Sequence, residues 1–354
     1  MHMLKRTFLA PSRNYFGTRS FILFLVVILT VATLLAHFQQ SAREHSARAS
    51  NLQWQQFIYD GPAGSRPYFV YTPQNYQPGT AVPLIVMLHG CTQTPLDLAT
   101  GTGMNQLAEQ YDFIVAYPEQ TSAYNSALCW NWFNPANQFR GGGEPAILAG
   151  IVQEIERNTA EWTIDVHRIY VTGISAGGAM AVILGATYSD IFAAIGVHSG
   201  TEYRAITSLG TGGDVFLQGG PDPIQQGQAA YAAMGRFARV VPTIVFHGTK
   251  DAVIAPTNGN QVVQQWMETD VLASHGTYHA DFHSPNSTRN GQVAGGHSYT
   301  VYQWNDDKGN EVQEYWLVDG MGHAWSGGNP GISTDPQGPS ASLAMYLFFN
   351  NHPM

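Results

Sequence analysis

Three residues of the chain are suited to one chemistry: Ser175, Asp251 and His323, met in that order. A serine hydroxyl is a poor nucleophile at neutral pH, so it needs an imidazole to take its proton and a carboxylate to hold that imidazole in the right tautomer. Ser175 stands at the centre of Gly173-Ile174-Ser175-Ala176-Gly177. In this G-x-S-x-G pattern a strained turn between strand and helix pushes the hydroxyl outward, and the flanking glycines let the two elements approach without a Cβ clash. A pattern with two free positions also arises by chance, and a serine that merely caps a helix looks the same. Its context, a strand before, a helix after and later partners in the order Ser, Asp, His, favours a nucleophile for acyl transfer. Acyl transfer also needs donors for a developing oxyanion, usually two backbone amides. Ala176, directly after the serine, supplies one, and Cys91 in His89-Gly90-Cys91-Thr92 is expected to supply the other.

The partners have competitors. Asp251 ends His247-Gly248-Thr249-Lys250-Asp251, a segment placed to present a carboxylate beyond a strand, and its bland alternative is a turn residue. His323 lies in Gly320-Met321-Gly322-His323-Ala324-Trp325, where small neighbours leave the ring free to reach inward. Asp319 is as near the last strand but would share a loop with His323. His247 and His198 each follow a strand and read as structural or buried residues. His275, His279 and His283 are spaced by four, as ligands on a helix would be, but Gly276, Ser284 and Pro285 argue for a loop. No metal and no cofactor is expected.

The elements that must position these residues alternate. Leu52 to Tyr59 and Arg66 to Tyr71 read as an edge hairpin. Pro83 to Leu88, Phe113 to Ala116, Ile169 to Val171, Ile191 to Val197 and Pro242 to Phe246 read as buried strands, and Ser298 to Trp304 with Glu311 to Val318 as a late pair. Helices are expected over Met104 to Gln110, Glu144 to Thr159, Ala176 to Tyr188, Asn260 to Glu268 and Ser340 to Phe349, and a long glycine-rich loop over Thr207 to Gly227. Such alternation specifies an α/β fold, a mostly parallel central sheet with helices on both faces and the site at the carboxyl ends of the strands.

With 354 residues and 44% hydrophobic content, the chain can bury the core of one large domain, expected over 51–354. Charged residues make up only 12% and the net charge is -9, which argues against a nucleic-acid partner and for an uncharged substrate. Lys5, Arg6, Arg13 and Arg19 precede an apolar run from Phe21 to Phe38, so residues 1–40 read as a membrane anchor or signal segment and 41–50 as a linker without apolar periodicity. The catalytic region is expected to be exported, to the periplasm or beyond the cell. The one A-x-A site, Ala47-Arg48-Ala49, lies about ten residues past the apolar run, which favours an uncleaved anchor holding the domain at the membrane. In an oxidising compartment Cys91 and Cys129 are expected to pair, pinning the turn that carries Cys91. The oligomeric state is not legible.

Several motifs in one order then add a family. LHGCTQ at Leu88 to Gln93, CWNWF at Cys129 to Phe133, GGGEP at Gly141 to Pro145, GISAGG at Gly173 to Gly178, HGTKD, GMGHAWSGG and TDPQGPSAS together resemble the polyhydroxybutyrate depolymerase family of esterases. The likeness runs from about Arg66 to the end of the chain. It implies the α/β-hydrolase fold and a serine carboxylic-ester hydrolase, with Ser175 as nucleophile, Asp251 as acid, His323 as base and Cys91 with Ala176 as oxyanion donors. The substrate it implies is a small or oligomeric ester, short-chain or 3-hydroxyalkanoate, with feruloyl or acetylxylan esters as the alternative. The sequence shows no linker and polymer-binding domain after the catalytic region, so oligomers are expected over crystalline polymer. A reading of another class, a binding protein on an inactive hydrolase scaffold, is disfavoured by the complete Ser, Asp, His set.

Overall fold

The computed structural model describes residues 53–207 and 212–354. The expected anchor or signal segment over 1–40 and linker over 41–50 lie outside the described residues. In chain order the elements are β1 (Trp54–Gly61), β2 (Gly64–Tyr71), β3 (Ala81–Leu88), α1 (Pro95–Thr102), α2 (Met104–Tyr111), β4 (Ile114–Pro118), α3 (Gly143–Arg157), β5 (Thr163–Ile174), α4 (Ala176–Thr187), β6 (Ala194–His198), α5 (Gly212–Gln218) and α6 (Pro223–Met234). There follow β7 (Thr243–Gly248), α7 (Pro256–Ala273), β8 (Ser287–Gln292), β9 (Ser298–Asn305), β10 (Glu311–Val318) and α8 (Ala341–Asn350), with a two-residue pair β11 (Trp325–Ser326) and β12 (Thr334–Asp335) between the last two.

The main sheet has the order β1-β2-β4-β3-β5-β6-β7-β10-β9-β8. From β4 to β10 every neighbouring pair is parallel, and the β1–β2 and β9–β8 hairpins add antiparallel strands at the two edges. This is the α/β-hydrolase architecture. Because side chains alternate across a strand, each central strand feeds two cores. Leu84, Val86 and Leu88 of β3 join one beneath α3, α4, α6 and α7, whereas Ile85 and Met87 join the other beneath α1, α2 and α8. Both faces are thus covered, which explains why a central strand such as β3 reads as a nearly unbroken apolar run.

Three stretches depart from the sequence reading. The glycine-rich loop expected over Thr207 to Gly227 contains α5 and most of the first two turns of α6; Asp222 caps α6 through its side chain and Pro223 occupies its first turn. Residues 208–211 of that stretch lie outside the described residues. Helix α1, PLDLATGT, escapes periodicity because it is short, yet it carries a capping box, Thr94 with Asp97, and proline in its first turn. Strand β8, STRNGQ, is exposed and polar, so no alternation marks it; its structure comes from the ladder to β9.

The elbow between β5 and α4 is the tightest junction. A Cβ at Gly177 would stand 2.0 Å from the Leu88 carbonyl oxygen, and one at Gly173 would stand 2.5 Å from it. Every residue of α4 is buried, so the helix has no room to retreat. Gly177→Ala is therefore expected to destabilise the protein by about 3 kcal/mol and to displace Ser175. Gly213→Ala, where nothing lies within 4 Å, should be neutral or stabilising by about 0.5 kcal/mol. Urea denaturation of the two variants beside the parent measures the contrast.

Candidate active site

Ser175 sits between β5 and α4 with φ 58° and ψ -121°, a conformation that L-residues rarely adopt. Its own amide donates to the carbonyl of His198 at 2.9 Å, which ties the strained residue to the end of the neighbouring strand β6. As the residue preceding α4, it presents its side chain at the positive end of a buried helix.

The turn after β3 runs beside it. A Cβ on Gly90 would stand 3.3 Å from the Cβ of Ser175, so only glycine passes there without pressing on the serine. The amides of this turn are nearly all spoken for: Gly90 N donates to Gln93 Oε1 at 2.8 Å, Thr92 N to the Ala127 carbonyl at 2.8 Å and Gln93 N to the Gly90 carbonyl at 3.4 Å. Among the described residues the Cys91 amide has no such partner, and Cys91 lines the same cavity as Ser175 and Ala176. The Ala176 amide, at the first position of α4, has no intrahelical acceptor either. Two amides without partners among the described residues thus belong to residues that line the cavity beside Ser175. Cys91 is covalently joined to Cys129, closing a loop of 38 residues.

On the far side of the serine, β7 and β10 deliver the other two side chains. His323 Nδ1 donates to Asp251 Oδ2 at 2.7 Å, and the Asp251 carboxylate is completely buried. The other carboxylate oxygen accepts from the Val253 and Ile254 amides at 3.0 and 2.8 Å. Burial acts to raise the Asp251 carboxyl, but the hydrogen bond and charge of the His323 ring, with the Ile254 amide, hold it below the usual carboxylate range. The carboxylate stays ionised and fixes the ring with its Nε2 unpartnered among the described residues. Ser175 and His323 line one cavity of about 260 Å³, and no hydrogen bond joins their side chains; such bonds commonly tighten only once substrate is bound. Trp132, Ala179, Phe216, Val253 and Ile254 make most of its apolar wall.

The competing residues are engaged with other partners. Asp319 is exposed and accepts from Thr249 and Ser298 hydroxyls at 3.1 and 3.4 Å. His198 is fully buried, with Nδ1 on the Ser199 hydroxyl at 3.1 Å and Nε2 accepting from the Ser326 amide at 2.9 Å. His247 donates from Nε2 to the Ile254 carbonyl at 2.8 Å and stands 3.5 Å from Asp251. Burial pushes both rings down, His198 far below the ordinary imidazole value. His275, His279 and His283 are exposed along a loop, with His279 beside Asp307 at 3.4 Å.

Sequence reasoning overlooked Glu144, in the first turn of α3. Its carboxylate accepts from the Asn131 amide at 2.6 Å and from the Asn131, Gln120 and Arg66 side chains at 2.7, 2.7 and 3.2 Å. Gln120 in turn donates to the Cys129 carbonyl at 3.0 Å, so this buried acid organises the segment to which Cys91 is bonded. Its position directly after three glycines was the only sequence signal of the role.

The profile of the family described as Esterase PHB depolymerase matches residues 67–281. A poly(3-hydroxyalkanoate) depolymerase C from Paucimonas lemoignei is 31% identical over 317 residues, 89% of this chain and 68% of that protein. Acetylxylan esterase A from Emericella nidulans is also 31% identical, over 72% of this chain and 79% of its own. Among solved structures, an acetyl xylan esterase from Aspergillus awamori superposes with a TM-score of 0.65 at 23% identity, covering 84% of this chain and 99% of its own, which is a likeness of fold.

If the buried carboxylate and its imidazole activate Ser175, His323→Ala should lower ester turnover by about 10³-fold or more, and Asp251→Asn should do comparable damage. Asp319→Asn, on the surface, should leave turnover within about 3-fold. Steady-state kinetics on the four proteins would check all of this; near-normal turnover in His323→Ala would place the base elsewhere.

The bridge gives a second expectation. Closing a 38-residue loop restricts the unfolded chain by about 4 kcal/mol in the chain-entropy picture. Cys129→Ser should lose roughly 2–4 kcal/mol of stability by denaturant titration, and the parent should lose activity in strong reductant as the turn bearing Cys91 loosens.

Proposed function

The chain belongs to the Esterase PHB depolymerase family and is a carboxylic-ester hydrolase of the α/β-hydrolase fold, and on that premise we propose that it cleaves short-chain or 3-hydroxyalkanoate esters through a Ser175 acyl-enzyme. His323 takes the serine proton as Oγ attacks the ester carbonyl, and Asp251 holds the resulting imidazolium. The Cys91 and Ala176 amides bind the oxyanion until the alcohol leaves, receiving its proton from His323. Water then repeats the sequence on the acyl-enzyme and frees the acid.

The observation that carries the substrate size is the cavity. At about 260 Å³, with a mostly apolar wall, it lies below the range typical of drug-sized ligands and suits a short acyl group. The Paucimonas relative, a poly(3-hydroxyalkanoate) depolymerase by name, supports the hydroxyalkanoate preference. The Emericella relative, named an acetylxylan esterase and matched over 79% of its length, supports acetyl esters of xylan as a second reading, since an acetyl group also fits so small a pocket. We further infer export, from the apolar run Phe21 to Phe38 behind Lys5, Arg6, Arg13 and Arg19 together with the Cys91–Cys129 bridge.

Hydrolysis of p-nitrophenyl acetate and butyrate, then of hydroxybutyrate oligomers, acetylated xylan and methyl ferulate side by side, tests the proposal. Oligomers and butyrate are expected to give the highest kcat/KM. A clear preference for acetylated xylan or ferulate overturns the substrate order, and a parent enzyme no faster than Ser175→Ala overturns the catalytic reading altogether.

A further inference from the structure

Gln93 is 2% exposed and lines the cavity, yet it belongs neither to the nucleophile nor to its proton relay. Its carboxamide spans two loops from different ends of the chain. Oε1 accepts from the Gly90 amide at 2.8 Å, and Nε2 donates to the carbonyl of Ile332 at 3.1 Å. The orientation is dictated by these partners, because a flipped amide would set oxygen against oxygen and N–H against N–H.

Each end of that bridge matters to a reacting group. On one side, Gly90 is held at both its polar atoms: its amide by Gln93, its carbonyl by His89 Nδ1 at 2.8 Å. The peptide from Gly90 to Cys91 is planar and trans, so fixing the Gly90 carbonyl in one direction aims the Cys91 N–H in the opposite one. On the other side, Ile332 lies in the return of the strip that leaves His323. This strip pairs Trp325 with Thr334 and is fastened to α1 by Asn329, whose amide and side chain donate to the Gly101 and Thr100 carbonyls, both at 2.8 Å. One carboxamide therefore joins the turn bearing a proposed oxyanion donor to the strip bearing the proposed base.

We propose that Gln93 is a positioning residue for ester hydrolysis, setting the Cys91 amide against the His323 strip so that oxyanion donor and base act on the same substrate geometry. The inference rests on the ester-hydrolase mechanism above. A donor helps only where the oxyanion will form, so loosening the turn costs transition-state binding and leaves ground-state binding nearly intact. A residue that merely filled space would change stability alone.

The test uses Gln93→Met, similar in shape but without either hydrogen bond, and Gln93→Glu. Rates are referred to active sites counted by a fluorophosphonate, so that any misfolded fraction drops out. Gln93→Met should lower kcat about 10- to 100-fold with KM within about 3-fold, less than the loss of an oxyanion donor itself. Affinity for an alkylboronic acid, whose boron bonds to the serine oxygen as a tetrahedral adduct, should fall by the same factor as kcat. In Gln93→Glu an ionised carboxylate still accepts from Gly90 but has no proton for the Ile332 carbonyl. The turnover of Gln93→Glu relative to the parent should therefore rise towards low pH, as the introduced carboxyl gains that proton. Gln93→Met with kcat within about 2-fold of the parent, or a loss of kcat with unchanged boronate affinity, overturns the proposal. Should Gln93→Met not fold, the pH dependence of the Gln93→Glu ratio decides, and a flat ratio overturns it. A parent that is neither active on esters nor inhibited by the boronate strikes the ester mechanism instead.

Discussion

The carbonyl oxygen of Leu88 lies so close to Gly173 and Gly177 that neither position could bear a side chain without moving a strand or a helix. That contact sets the distance between the end of β3 and the start of α4, and two separate requirements are met at once. Ser175 is forced into a positive φ, a strain on the order of 1–3 kcal/mol that the wholly buried helix behind it offsets. The same approach brings the turn after β3 alongside the serine, where a Cβ on Gly90 would stand 3.3 Å from the serine Cβ. The proposed nucleophile and the proposed oxyanion donors are neighbours because one backbone contact fixes both elements.

What the sheet does for the serine, buried polar groups do for the loops. The segment between β4 and α3 has little regular structure, and its backbone groups must find partners elsewhere when buried. Glu144 provides them, gathering Asn131, Gln120 and Arg66 around one carboxylate, while Asn137 accepts the Glu144 amide at 2.9 Å. The bridge from Cys129 to Cys91 and the bond from Thr92 to Ala127 pass that order on to the turn after β3. Removing the carboxylate would leave several buried donors unsatisfied together, which costs more than any one of the bonds contributes.

How far the sequence revealed this depends on what each feature answers to. Central strands such as PLIVML were legible because burial on both faces leaves mostly apolar residues to read. The elbow was legible because its glycines answer to a local steric demand. By contrast β8 was not, since an exposed polar strand owes its shape to the ladder with β9 rather than to any periodicity of its own. Nor were the helices between Gly212 and Met234, where glycines concealed a capping aspartate and a first-turn proline. Gln93 and Glu144 were visible only as letters within motifs. Their roles depend on partners 239 and 78 residues away, which no local pattern encodes.

The histidines show most sharply what the fold adds. His89 and His323 follow strands, His198 and His247 lie at the ends of theirs, and all four stand near the site; chain order alone points to His323, the one of the four beyond Asp251, as the proposed base. The structure separates them by what their ring nitrogens already do. His89 gives Nδ1 to the Gly90 carbonyl and takes the Gln120 amide on Nε2, and burial pushes its ring down to about 4. His198 and His247 likewise spend Nε2 on the backbone, of Ser326 and Ile254, which makes these neutral rings rigid struts between loops. In His323 the Asp251 carboxylate takes Nδ1 and Nε2 has no partner among the described residues, in a ring that lines the cavity together with Ser175, as the proposed base requires. Three imidazoles kept neutral by burial hold the loops, and the fourth is held in its orientation by the buried carboxylate of Asp251.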